Sequence, residues 1–201
     1  MASPEPALRE PISIGSRADE NLRIIRMAME RSSVFTALPG RGAILMGLSA
    51  VVAAWFAASA SSVEEWFGIW LAEALIGFSI ALAAVAWKIR TVETPASLRP
   101  ARNFAVGLAP PLFAGAVLTW ALYQAGATDL IPGVWLLLYG CGIATAGTFS
   151  IRIVPAMGAC FAAVGVVTLF APELWHNALL AVGFGGLHMI FGGIVWRKYG
   201  G

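Results

Sequence analysis

Six predominantly apolar stretches, each about 20 residues and so long enough to cross a ~30 Å hydrocarbon core, alternate with short polar connections along this chain. They run over residues 43–60, 66–87, 104–123, 131–149, 153–170 and 175–196. The pattern predicts an all-α membrane protein with six transmembrane helices arranged as three hairpins. Trp66 and Trp87 bound the second stretch and Trp175 and Trp196 the sixth, and indole rings favour the headgroup level. Only Ser150, Ile151 and Arg152 separate the fourth stretch from the fifth. Pro155 stands at the start of the fifth, where a missing backbone N–H costs little.

The polar connections alternate in sign. Arginines from Arg9 to Arg41 precede the first helix, and Lys88, Arg90, Arg99 and Arg102 lie between the second and third. Arg152 joins the fourth to the fifth, and Arg197 and Lys198 follow the sixth. All 13 basic residues therefore fall on one side, whereas the opposite connections carry Glu64, Glu65, Asp129 and Glu173 and no Lys or Arg. Lys and Arg near helix ends are retained on the cytoplasmic side, so both termini are expected in the cytoplasm and the hairpins point outward. This divides the chain into a cytoplasmic segment 1–41, a transmembrane bundle 42–196 and a cytoplasmic tail 197–201.

Residues 1–41 mix both charge signs and hold no apolar core of signal-peptide length, so the first helix is expected to be an uncleaved anchor. Ser16 followed by Asp19 resembles a capping box. Leu22, Ile25 and Met29 then recur at helical spacing, with Arg23, Arg26, Glu30 and Arg31 on other faces. A short amphipathic helix is predicted over 17–32. It has three possible resting places: the anionic inner leaflet, a partner protein, or the cytoplasm as a solvated helix.

Composition sharpens the class. Of 201 residues, 59% are apolar and 12% charged, with a mean hydropathy of +0.78, which excludes an ordinary water-soluble fold. The formal charge of +2 is too balanced for a protein that binds nucleic acid through a phosphate-directed basic face. Cys141 and Cys160 lie within the fourth and fifth stretches and are expected to be small packing residues rather than a disulfide pair.

Ionisable groups at membrane depth are costly, and two stand out: Glu73 in the second stretch and His188 in the sixth. At ~1.5 Å rise per residue, Glu73 lies about 10 Å below Trp66 and His188 about 12 Å from Trp196, so their depths are similar. Glu73 shares a helix face with Trp66, Trp70, Gly77 and Ala84, and His188 shares one with Ala181, Gly185 and Gly192. Small neighbours allow close helix approach, so both side chains are expected to face the bundle interior. Together they are candidates for an ion or proton site. Each could instead fix helix register through a bond to a backbone carbonyl or a hydroxyl. Ser49, Ser79, Thr119, Tyr139, Thr145, Thr148 and Thr168 complete the intramembrane polar set, which is too sparse for a wide aqueous pore and open to local satisfaction.

Prolines near the start of the odd-numbered helices (Pro39, Pro110 with Pro111, Pro155) and tryptophans opening the even-numbered ones (Trp66, Trp135, Trp175) suggest related hairpins. The same placements are general habits of membrane helices.

No Walker A loop, HExxH, CxxC or GxSxG occurs. The two histidines, His176 and His188, share one helix, which argues against a haem held between helices, and no cofactor is expected. Rhomboid intramembrane proteases pair a GxSG serine in the fourth helix with a histidine in the sixth, and here the fourth stretch carries Gly140, Cys141 and Gly142 and the sixth carries His188. That likeness fails on several counts: Cys replaces Ser, the glycines after His188 are spaced differently, and Ala60 to Glu65 leave no room for the large first loop.

Three segments carry a family resemblance: MERSSVFTALPGRGAILM at 29–46, TFSIRIVPAMG at 148–158, and the ending GFGGLHMIFGGIVWRKYGG. The chain resembles a group of uncharacterised bacterial six-helix integral membrane proteins over nearly its whole length. The resemblance implies an inner-membrane, multi-pass protein and transfers no catalytic or binding residue. It draws attention to two cytoplasmic-edge segments, 31–42 with Arg41 and 150–155 with Arg152, which are candidates for mutual contact, while plain turn geometry explains both equally well. The expected role is an accessory or sensory membrane unit, docking through residues 17–32 or as a homo-oligomer. A small ion- or proton-coupled transporter using Glu73 and His188 is the alternative, and an intramembrane enzyme the minor one.

Overall fold

The computed structural model describes residues 39–91 and 98–199, together with Asp19, residues 21–23 and Ile25. The chain divides into two units, Met1–Val34 and Phe35–Gly201. In the first unit the described residues are helical, and Leu22 and Ile25 are exposed. The rest of the amphipathic helix expected over 17–32 lies outside the described residues.

The second unit is all-helical, and no strand occurs among its described residues. Helix α1 spans Gly40–Ala57, α2 Val63–Thr91, α3 Leu98–Gln124, α4 Ile131–Ala146 and α5 Ile153–Phe170. The sixth, α6, covers Glu173–Tyr199. It joins a 3-10 turn (Glu173–Trp175), an α-helical turn (His176–Leu180), a π-helical stretch (Ala181–Leu187) and a final α-helix (His188–Tyr199). All six are long and apolar enough to cross a membrane.

Most boundaries follow from local chemistry. Helix α2 begins before Trp66 because Ser62 Oγ accepts the Glu65 backbone N–H at 3.1 Å. The Glu65 carboxylate reaches back to the Ser61 N–H and Oγ, both at 2.7 Å, in a variant of the capping box. Glu64 and Glu65 in its first turn and Lys88 and Arg90 in its last complement the helix dipole.

Two elements differ from the sequence expectation. Helix α3 starts at Leu98 rather than near residue 104, so Pro110 and Pro111 sit in mid-helix and not near its start. The expected regularity of prolines at the odd-numbered helix starts therefore holds only for Pro39, which caps α1, and Pro155 in the first turn of α5. Helix α6 is not continuous α-helix but widens into the π-helical stretch at its centre, a geometry that no proline signals.

Glycine governs the closest packing. A methyl group at Gly140 of α4 would collide with the backbone of Ala162 and Gly158, and one at Gly158 of α5 with that of Ala144 and Gly140. With Gly133 against Leu169 and Gly147 against Pro155, these contacts set α4 and α5 antiparallel at backbone-to-backbone range. Helix α1 is held similarly on two sides. Gly42 meets Ala84 and Ser49 meets Glu73 on α2, while Gly40 meets Gly192 and Gly47 meets Gly185 on α6.

The core lies where α1, α4, α5 and α6 converge, and Leu136, Phe161 and Leu180 in it are fully buried. Helices α2 and α3 are peripheral, with 11% and 6% of their apolar windows buried against 44% for α1 and α4. Leu75 and Phe78 on α2 and Phe113 and Trp120 on α3 point outward. Apolar exposure on this scale suits contact with lipid rather than water.

Candidate functional site

Glu73 is buried between α2 and α1, only 8% exposed. Its Oε1 lies 2.8 Å from Ser49 Oγ, which also lies 3.0 Å from the Met46 carbonyl. A hydroxyl has one hydrogen and two lone pairs, so Ser49 can serve Glu73 in either protonation state. It donates to an ionised carboxylate, or accepts from a protonated one while donating to Met46. A methyl group added at Gly77, one turn along, would come into ordinary contact with Met46 and Glu73 Oε1.

His188 sits where the π-helical stretch of α6 ends, and it is 2% exposed. Its backbone N–H reaches the Gly185 carbonyl, and its ring Nδ1 lies 2.8 Å from the Phe184 carbonyl. A carbonyl can only accept, so Nδ1 carries the hydrogen, and Nε2 of the neutral ring accepts from the Tyr139 hydroxyl of α4 at 2.8 Å. Phe161 meets the edges of both rings, with centroids 4.9 Å from Tyr139 and 5.1 Å from His188, and Phe184 lies 5.3 Å from Tyr139. The result is an apolar box around a single hydrogen-bonded pair.

The two ionisable groups are thus satisfied in separate places, Glu73 at the α1–α2 contact and His188 at the α4–α6 contact. The local-satisfaction expectation describes Ser79, Thr119, Thr145, Thr148 and Thr168, each of which donates to a carbonyl three or four residues back. Ser49 adds an interhelical bond to Glu73, and Tyr139 makes its bond only to another helix.

Arg41, exposed at the start of α1, lies over the Trp196 ring of α6 at 5.2 Å, a cation–π contact tying the first helix to the last. Arg152 is exposed and caps α5. No hydrogen bond or ion pair joins Arg41 to Arg152 among the described residues. Cys141 and Cys160 are free thiols on the exposed helix surface rather than interior packing residues. Tyr139, not Cys141, is the α4 residue that reaches His188.

Sequence reasoning did not foresee a third arrangement, at the other end of the bundle from the Arg41–Trp196 contact. Trp66 stacks on Trp135 at 5.5 Å, and its Nε1–H donates to Asn177 Oδ1 at 2.7 Å. Trp70 Nε1–H reaches the same oxygen at 3.4 Å, and Phe67 meets Tyr123 and Trp135 edge-on. Here α2, α3, α4 and α6 converge. The aromatic wall borders a cleft of about 380 Å³ lined also by Asp129, Glu173 and His176. The signal that could have found it is the acidic, base-free character of all three connections at this end. No group of three His, Cys, Asp or Glu residues able to hold a metal occurs among the described residues.

No protein-family model, curated protein or solved structure matches this chain.

Proposed function

We propose that this chain is a multi-pass protein of the bacterial inner membrane, its termini cytoplasmic and its three hairpins turning outside, that serves as an accessory or sensory unit. The topology rests on the placement of every Lys and Arg in alternate connections. The functional reading rests on one observation: Glu73 and His188 are closed into separate pairs, Ser49 with Glu73 and Tyr139 with His188. A relay between them lacks a linking side chain among the described residues. Signal or partner exchange then falls to the two ends of the bundle, with residues 17–32 as the docking element on the cytoplasmic side.

The test is photocrosslinking in native membranes from a photoreactive residue at Leu22 or Ile25, both exposed on the N-terminal helix. The expected result is one adduct of fixed mass containing a second protein chain. Adducts to lipid alone at both positions would sink the docking role.

One observation favours a second reading, a proton-coupled transporter. Ser49 can satisfy Glu73 whether or not the carboxyl holds a proton, as a carrier's site requires. Proton flux in proteoliposomes that disappears on Glu73→Gln would put this reading first, whereas flux no greater than in empty vesicles would remove it.

A further inference from the structure

The six helices fall into two sets by how they meet. Helix α1 packs along its length on α2 and α6, and α4 on α3 and α5, whereas α2 and α3, although consecutive, scarcely touch among the described residues. Within each set the approach is close. A methyl group at Gly40 or Gly192 would collide with the facing backbone of the α1–α6 pair, and one at Gly140, Gly158 or Gly165 with that of the α4–α5 pair. The bonds of Ser49 with Glu73 and of Trp66 with Asn177 lie inside the first set, α1–α2–α6. The Trp135 Nε1–H donates to Thr119 Oγ1 at 2.8 Å inside the second, α3–α4–α5.

The seam between the sets is built differently. There Gly183 of α6 faces the end of the Leu136 side chain rather than a backbone. Rings make up much of the rest: Phe161 lies 5.7 Å from Phe184 and 5.1 Å from His188, and Trp66 stacks on Trp135 at 5.5 Å with planes 15° apart. Stacked and edge-on rings keep contact over a range of offsets, so such a surface can tilt, whereas backbone held against backbone cannot slide. Tyr139 and His188 supply a directional contact in the middle of the seam, their 2.8 Å hydrogen bond. The Trp66 end of the seam is tied, because only Ala171 and Pro172, both extended, carry the chain from α5 into α6 there.

We propose that α1–α2–α6 and α3–α4–α5 are rigid halves that part and close along this seam, pivoting at the Trp66–Trp135 stack, with the Tyr139–His188 bond as the latch of the closed form. Tyr139 lies one turn, about 6 Å, from Trp135 along α4. A tilt of about 10° at the stack therefore shifts the level of the hydroxyl by about 1 Å, enough to break the bond, and opens the Arg41–Trp196 end further. The two bonds at membrane-depth ionisable groups then differ in kind. Ser49–Glu73 stays made inside one half, whereas Tyr139–His188 is made and broken. Hinge motion of this kind serves a sensor or a carrier alike, so the device is independent of the role proposed above.

The experiment is electron–electron double resonance on the full chain in proteoliposomes, with Cys141 and Cys160 replaced by Ala and spin labels on pairs of exposed residues at the Arg41–Trp196 end. Labels at Thr91 and Arg152 report across the seam. Labels at Thr91 and Arg197 report inside one half, and labels at Arg102 and Arg152 inside the other. The cross-seam pair should show a main distance and a minor, longer one. Tyr139→Phe removes the latch hydroxyl and should raise the longer population about fivefold relative to the shorter, as loss of one interhelical hydrogen bond implies. Gly183→Leu keeps both latch side chains, wedges against Leu136 and should raise it too. Both within-half pairs should keep single distances in every variant. One unchanged cross-seam distance in the parent and both variants would overturn the proposal. Within-half distances that broaden alongside the cross-seam one would overturn it as well, because the helices would then be loosening singly. A longer distance in Gly183→Leu but not in Tyr139→Phe would overturn the latch.

Discussion

The hydroxyl of Tyr139 and Nε2 of His188 meet at 2.8 Å where α4 packs on α6, inside a box of phenyl rings. Tyr139→Phe removes the only side-chain donor to Nε2 among the described residues and leaves a buried acceptor unpaired. The expected loss is about 1 kcal/mol, since interhelical hydrogen bonds in membranes are modest. Denaturation in mixed micelles measures it. A double-mutant cycle with His188→Phe should show that the two losses are not additive, and full additivity would mean the bond carries no energy.

Ser49→Ala leaves the Glu73 carboxyl without its hydroxyl partner at the α1–α2 contact. A destabilisation of about 1 kcal/mol is expected. Glu73→Gln should cost less than Glu73→Ala, because an amide still bonds Ser49. Equal stability of all three variants in the same assay would show that the pair does not hold the helices together.

Packing of α4 on α5 depends on the absence of side chains at Gly140 and Gly158. Gly140→Leu must push the helices apart, at a cost of about 2 kcal/mol or more. Gly193→Leu, where nothing lies within reach of an added Cβ, should be tolerated. A thermal shift in detergent compares the two, and similar losses would contradict the close approach.

Topology is open to thiol chemistry. With Cys141 and Cys160, both exposed, replaced by Ala, a single Cys at Ser61 should react in intact cells with a membrane-impermeant maleimide. A single Cys at Arg152 should react only after lysis. The reverse pattern would invert the proposed orientation.

Much of this bundle can be read in the sequence because spanning a bilayer imposes length and apolarity directly on the chain, and all six spans appear in that pattern. Residues 153–170 coincide with α5. The interior is less legible. Glu73 and His188 announce themselves by their cost at depth, but their partners Ser49 and Tyr139 look like ordinary polar residues, since helix adjacency depends on tertiary packing. The α3 start was missed because Leu98–Ala101 continue the helix beyond the apolar stretch. The cleft was missed because its residues come from three connections and are joined only by the fold.

The π-helical stretch Ala181–Leu187 also sets the phase of α6. A widened turn holds a residue more than regular α-helix, so deleting one residue from 181–187 would restore a plain helix without shortening the span appreciably. Because the widened turn takes up the extra residue, the side chains after the deletion would keep their phase relative to the half that begins at His176, with His188 in its box of rings and Trp196 beside Arg41. The regular helix His188–Tyr199 has no such slack, and one residue removed between His188 and Trp196 would rotate everything after it by about 100° and swing Trp196 away from Arg41. The same change of length is absorbed at the middle of this span and disconnects one end of the protein from the other near its end.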